Sequence, residues 1–362
     1  MQDSIEAMAA AVKAAAACGG HLRIRGGGSK DFYGQALEGE ILATRALCGI
    51  VAYEPSELVI TAAGGTPLAK IEAALANASQ MLPFEPPHFG RDATIGGAVA
   101  AGLSGPRRAA VNGYYGAVRD FVLGVKLLDG RGEHLSFGGQ VMKNVAGYDV
   151  SRLIAGSLGT LGVVTEVSLK VLPEPVATRT LLLAFPDPAR AVEQLNRWGG
   201  QPLPLTASAW CDGVLHVRME GAQAAVASAS ARIGGEAVEA GAAGRLWRGV
   251  REQTDAFFAG DAPLWRVSVP SVAGPLDLPG DQLIEWGGAL RWIRGDVSAA
   301  RVRAAAAKAG GHATLFRADA ATKKASRVFT PPDAVTARIS ARLKAAFDPD
   351  NVFNRGRMGE DT

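Results

Sequence analysis

The spacing of apolar and polar residues changes several times along this chain, and each change marks an element. Residues 4–18, SIEAMAAAVKAAAAC, carry the Ala-rich propensity of a helix and stop at Gly19-Gly20, a predicted C-cap. His21–Arg25 reads as a short strand that delivers the chain to Gly26-Gly27-Gly28-Ser29-Lys30. Leu58–Ala62 is a second apolar strand, turned by Gly64-Gly65. Thr66 as N-cap and Pro67 at the first helical position then start a helix through Asn77, with Leu68, Ile71 and Leu75 on one face. With Gln80-Met81-Leu82 as the next strand, this order predicts a small parallel sheet.

Further on, the period becomes two. Phe121–Leu128 and His134–Phe137 alternate about the turn signal Asp129-Gly130, which predicts an antiparallel hairpin. From Gly162 to Leu172, Val163, Val167, Leu169 and Val171 point one way, and Glu166, Ser168 and Lys170 the other, as in a strand with one wet face. Pro173 and Pro175 close that run and mark a domain boundary. Beyond it, Thr180–Phe185 and Leu264–Val269 read as strands, and Pro188–Trp198 and Ala222–Ile233 as helices. Five of the six tryptophans, Trp210, Trp247, Trp265, Trp286 and Trp292, lie after residue 200 and are expected to fill this second core. Thr336–Ala346 is the last predicted helix.

Two glycine-rich loops interrupt these elements. Pro86–Gly105 places Gly90, Gly96, Gly97, Gly102 and Gly105 in one short stretch, and Gly26–Gly28, closed by Gly34, forms the other. Glycine loses more conformational freedom on folding than any other residue, so such clusters need a backbone reason. Close approach to an anion such as a pyrophosphate supplies one, with Thr94 as a hydroxyl donor beside Ile95-Gly96-Gly97. A turn leading into an Ala-rich helix explains one loop alone, and two loops favour a shared ligand. Neither loop has the P-loop ending or the G-x-G-x-x-G spacing of a Rossmann site.

Composition narrows the class. With 362 residues, 48% apolar and 20% charged, the chain has room for two domains and the balance of a globular protein. A net charge of +3, with scattered Lys and Arg, gives no footprint for nucleic acid. Cys18, Cys48 and Cys211 are too far apart for a C-x-x-C pair, which argues against a disulfide scaffold, an iron–sulfur cluster or another metal site held by this chain. No signal peptide and no apolar run of about eighteen residues is visible, so the expectation is a cytosolic chain whose membrane association, if any, comes through partners.

In order, IRGGGS, ATIGG, Lys143–Asp149 (KNVAGYD), Gly156–Thr165 (GSLGTLGVVT) and Phe347–Met358 (FDPDNVFNRGRM) span nearly the whole chain. This set resembles the FAD-binding, PCMH-type family that includes vanillyl-alcohol oxidase, D-lactate dehydrogenase and bacterial glycolate oxidase. Leu283–Trp292, LIEWGGALRW, makes the resemblance strongest to the smaller flavin-binding subunits of glycolate oxidases. It implies an α+β fold: a PCMH-type FAD-binding domain of two α/β subdomains over 1–175, an α+β cap over 176–310, and a segment 311–362 that returns to the first domain. It implies further that Gly26, Gly27, Gly28 and Ser29 hold one side of the flavin's pyrophosphate and Thr94, Gly96 and Gly97 the other, with Gly162 and Val164 toward the adenine and Arg25, Gly34, Pro87, Ile95 and Gly102 among the cofactor-binding residues. Ser29 stands where some relatives carry a flavin-linking His, and the second loop has no Cys, so the FAD is expected to be non-covalent. His88, the ring nitrogen of that loop, reads as a loop residue.

Oxidation of a small 2-hydroxy acid needs a cation for the carboxylate and a base for the hydroxyl proton. His312, Arg291, Arg266 and Arg317 are the candidates; each also has a bland reading, as a solvated strand residue, a snorkelling side chain or a structural His. Lys143 and Tyr148 could meet the flavin ring or cap the element they flank. The family's larger members carry a His-rich segment near the substrate, whereas this chain has only Gly311–Arg317, GHATLFR, there. Three functions therefore stand open: a glycolate- or D-lactate-oxidising subunit that passes electrons to a paralogous larger FAD subunit and an iron–sulfur subunit; a non-catalytic structural or regulatory subunit; and, third, a UDP-sugar enoyl reductase.

Overall fold

The computed structural model of the chain describes residues 1–109, 116–139 and 149–359; Lys143 and Tyr148 lie outside them. The N-terminal helix, Gln2–Cys18, ends at Gly19 in the left-handed region and buries Ile5, Met8, Val12 and Ala15. They pack on Leu22, Leu42, Leu47, Val352 and Phe353, joining both ends of the chain in one cluster. Each such apolar side chain removed from water contributes about 1.5–3 kcal/mol.

Two large sheets carry the rest. The first has five strands in the order Ile50–Glu54, Val59–Ala63, Val163–Lys170, Val122–Leu128, His134–Gly138. All its pairings are antiparallel, so the expected parallel sheet is corrected. Among the described residues, parallel pairing is found in Leu22–Arg25 against Glu40–Ala43 and in a single bridge from Leu22 to Phe353. The reason is that the helix Leu68–Ala76 does not carry the chain to a neighbouring strand of the same sheet; Gln80–Met81 pairs instead with Leu172–Pro173. Nor is Thr66 the cap. Pro67 occupies that position, and the buried Thr66 hydroxyl donates to the Ala63 carbonyl at 2.6 Å. Val163–Lys170 is also not wet on one side: as the central strand it buries Ser168 at 7% exposure, 2.8 Å from the Thr61 hydroxyl.

The second sheet has eight antiparallel strands, ordered Glu236–Ala237, Ala177–Ala184, Val214–Gly221, Leu205–Cys211, Asp281–Glu285, Leu290–Arg294, Leu264–Ser268, His312–Arg317. One face is covered by helices Pro188–Gly199, Gln223–Ile233 and Ala299–Lys308 over Trp198, Trp210, Trp265 and Ile293. The other face, with Leu283, Leu290, Trp292 and Phe316, packs against Tyr33, Ala101, Leu103 and Leu158 of the first domain. His312–Arg317 belongs to this sheet, so that part of 311–362 lies in the cap and the return begins later. At the return, Leu22 donates to Val352 and Asn354 to Leu22, at 2.8 and 3.0 Å.

The two bodies are clamped by ions. Arg218 of the cap donates to both oxygens of Glu85 at 3.0 Å, and Arg107 forks onto Glu220 at 2.9 and 2.6 Å. Glu252 accepts the amides of His88 and Phe89 at 3.0 and 2.8 Å, holding the second glycine loop to the cap.

Candidate functional site

The two glycine loops meet. A Cβ on Gly26 would overlap the Thr94 hydroxyl, and one on Gly27 would overlap the Asp92 carbonyl oxygen, so only glycine lets the first loop lie on the second. The amides of Gly26, Gly27, Gly28 and Ser29 have no acceptor among the described residues. They border a cavity of about 340 Å3, together with Arg25, Thr94 and Gly97. Unpaired backbone donors around a space are the requirement for a bound diphosphate. Lys30 adds charge at the rim; burial draws its pKa down to about 8, against the pull of Glu252.

Other expected flavin contacts fall elsewhere. Ile95 donates its amide to Thr66 at 2.9 Å and Gly96 to Gly64 at 2.8 Å, which spends both inside the protein. They fix the loop. Pro87 lines a separate, smaller cavity, Gly34 lies against Arg357, and Gly102 ends the helix Ile95–Ala101. Gly162 and Val164 sit beside and within the central strand and do not border the larger cavity. Residues given no role from the sequence do border it: Asn354 and Arg357 from the terminal run. Asn354 accepts the Ile24 amide at 2.9 Å and donates to Leu158, while Arg357 donates to the carbonyls of Lys30 and Asp31 at 3.1 Å. They are aimed by Asp348, whose carboxylate accepts the amides of Val352 and Phe353 and the Lys344 ammonium at 2.7–2.9 Å. The signal was the Asp-Pro-Asp-Asn-Val-Phe-Asn-Arg run itself.

Among the catalytic candidates, strand register separates those that share a face. Arg266 stands opposite Trp292 and Thr314, on the face toward the first domain. It makes no hydrogen bond or ion pair among the described residues; its guanidinium lies 5.1 Å from the Trp286 ring, whose other near cation is Arg108 at 4.7 Å. Arg291 stands opposite Val267 and Ile284 and so points away from the first domain, fully buried, its guanidinium donating to the Ala273 carbonyl at 2.8 Å. Burial brings its pKa down to about 10. His312, opposite Ser268, sits at the exposed start of its strand, and burial and Arg266 hold its pKa below the ordinary value. Arg317 stacks on Phe32 and Phe89 at 4.8 and 5.2 Å. The structure thus brings Arg266 and His312 to one face and leaves Arg291 apart.

One acid was missed. Glu285 is 3% exposed, on the same face as Arg266, and accepts a 2.6 Å hydrogen bond from the Trp292 indole. Burial pushes its carboxyl up to about 8, with the Trp292 bond and Arg266 pulling the other way.

These features have counterparts in known proteins. Residues 2–138 match the family model described as an FAD binding domain. Over 337 residues the chain is 49% identical to the glycolate oxidase subunit GlcE of Escherichia coli, covering 93% of this chain and 92% of that protein. The chain belongs to the GlcE family. Its cofactor is accordingly FAD, and the glycine cradle fits the diphosphate of that group. The chain is more distantly similar to the GlcD subunit of glycolate oxidase from Bacillus subtilis, 38% identical over 28% of this chain and 21% of that one. The D-lactate dehydrogenase of Archaeoglobus fulgidus is 30% identical over 50% of this chain and 40% of its own length. A solved structure of alkyldihydroxyacetonephosphate synthase superposes with a TM-score of 0.65 at 15% identity, over 96% of this chain and 75% of that one, which shows the PCMH-type fold.

Proposed function

We propose that this chain is the smaller FAD-carrying subunit of a cytoplasmic complex that oxidises glycolate, or D-lactate, to the 2-oxo acid. Electrons leave through a paralogous larger FAD subunit and an iron–sulfur subunit. The observation that carries this reading is Arg266, a half-buried cation in no ion pair among the described residues, facing the flavin domain. Bound FAD would supply the two-electron acceptor. The amides of Gly26–Ser29, with Lys30, would neutralise its diphosphate, and Ser29 in place of a linking His, with no Cys in the second loop, favours a dissociable FAD. Arg266 would hold the acid's carboxylate, a charge-assisted contact of about 1.5–3 kcal/mol.

A second reading, a structural subunit that stabilises a catalytic paralogue, is favoured by how little open space the cap leaves beside Arg266, a cavity of about 20 Å3. An absorption spectrum with added FAD, then anaerobic glycolate and D-lactate, separates the two. Bleaching by either acid supports turnover here; bound flavin that never bleaches supports the structural role. Membrane attachment would come through partners, as no helix among the described residues is long and apolar enough to cross one.

A further inference from the structure

The small cavity between the cap and the first domain is bordered by Ser104, Gln253, Arg266, Glu285 and Trp292. A water molecule needs about 10–15 Å3 of such space. At about 20 Å3 the cavity has room for one water. Its polar walls are underused: Gln253 is 7% exposed, and neither its Oε1 nor the Ser104 hydroxyl has a hydrogen-bond partner. A buried orphan of this kind is destabilising, and a bridging water would satisfy it. Glu285 forms the third wall, fixed by the Trp292 indole and in no ion pair among the described residues.

We propose that Glu285 accepts the hydroxyl proton of the 2-hydroxy acid, through one ordered water held by Gln253 and Ser104. This rests on the reading that the subunit itself turns the acid over. The hydroxyl O–H bond breaks and its proton crosses the water to a Glu285 oxygen as the carbonyl forms; bound FAD would supply the acceptor for the two electrons and the hydrogen that leave the carbon. The acid loses two electrons and two hydrogens; one leaves as the proton on Glu285.

The surroundings suit that task. Burial raises Glu285, Glu85 adds to the rise, and Arg266 and the Trp292 bond oppose it, leaving it near 8. Arg251 borders the same cavity, and beyond Arg266 stand Tyr33, Arg108 and His312. A carboxyl that titrates close to neutrality can take up a proton and release it again.

Glu285→Gln is the test, since an amide oxygen still accepts from Trp292. Infrared spectra of flavin-free protein, taken from about pH 6 to about pH 9 to span the shift, should show a carboxylic-acid carbonyl band that fades on alkalinisation and is missing from the variant. In holoprotein the variant should keep its flavin but bleach with glycolate about 100-fold more slowly or worse, and lose the pH-dependent limb. If Glu285→Gln cannot hold flavin, Gln253→Leu carries the test, with slower bleaching expected and an altered limb. A variant that bleaches at the parent's rate and pH profile overturns the proposal and leaves the proposed function standing; so does the lack of the acid band in the parent protein. A parent protein that no 2-hydroxy acid bleaches overturns both.

Discussion

Glu85→Gln should loosen the clamp between cap and flavin domain, and the size of the effect follows from its contacts. Burial raises the Glu85 carboxyl, but Arg218 and Arg107 overcome this and bring it down to about 2 from 4.5. That lowering corresponds to about 3 kcal/mol. Removing one member of a buried ion pair costs about 3–5 kcal/mol, and Glu220, which still pairs with Arg107 and Arg218, keeps this loss at the lower end. The two routes agree. Since the folded value is depressed, the stabilisation is present above about pH 4.5 and is lost as pH falls toward about 2. Urea denaturation followed by tryptophan emission, at neutral pH and at steps down to pH 3, should show the variant about 3 kcal/mol less stable at neutrality. The gap should narrow with acid as the parent loses the same contribution. Glu85→Gln with Arg218→Met should be milder than Glu85→Gln alone, as both buried charges of the fork are then gone. A single variant within about 0.5 kcal/mol of the parent at neutral pH, the range of ordinary surface changes, would refute the reasoning.

Other outcomes follow from the site. Gly27→Ala should push the loops apart at a cost of about 1–3 kcal/mol and weaken FAD retention about tenfold or more, read by flavin fluorescence titration; retention at the parent's level would show that the loops need not touch. Arg266→Met should leave flavin content unchanged and weaken the acid's binding by about 10- to 100-fold, measured as the glycolate concentration needed for half-maximal bleaching. FAD affinity should fall as pH rises through about 8, where Lys30 loses its charge, and Lys30→Met should abolish that limb. Denatured protein should release its flavin to the filtrate, and yellow colour left on the precipitated chain would contradict a dissociable cofactor.

How much was legible beforehand differs between loop and cleft. Gly26–Ser29 and Thr94 stood out because glycine clusters are costly and therefore informative, and the structure brings them to one cavity. Ile95 and Gly96 share that glycine-rich sequence, yet give their amides to Thr66 and Gly64; composition does not reveal which way an N–H points. Arg291 and Arg266 looked alike as lone cations in apolar strands. Pairing opposite Val267 or opposite Trp292 decided which faces the flavin domain.

Local chemistry alone determined the helix stops and the hairpin at Asp129-Gly130, because those depend on neighbours a few residues away. Sheet direction, the burial of Ser168, the docking of the terminal run on the first loop and the elevated Glu285 required the tertiary structure. Each depends on residues tens to hundreds of positions apart, as when Asn354 reaches the Ile24 amide, and on the loss of water that only the packed interior imposes.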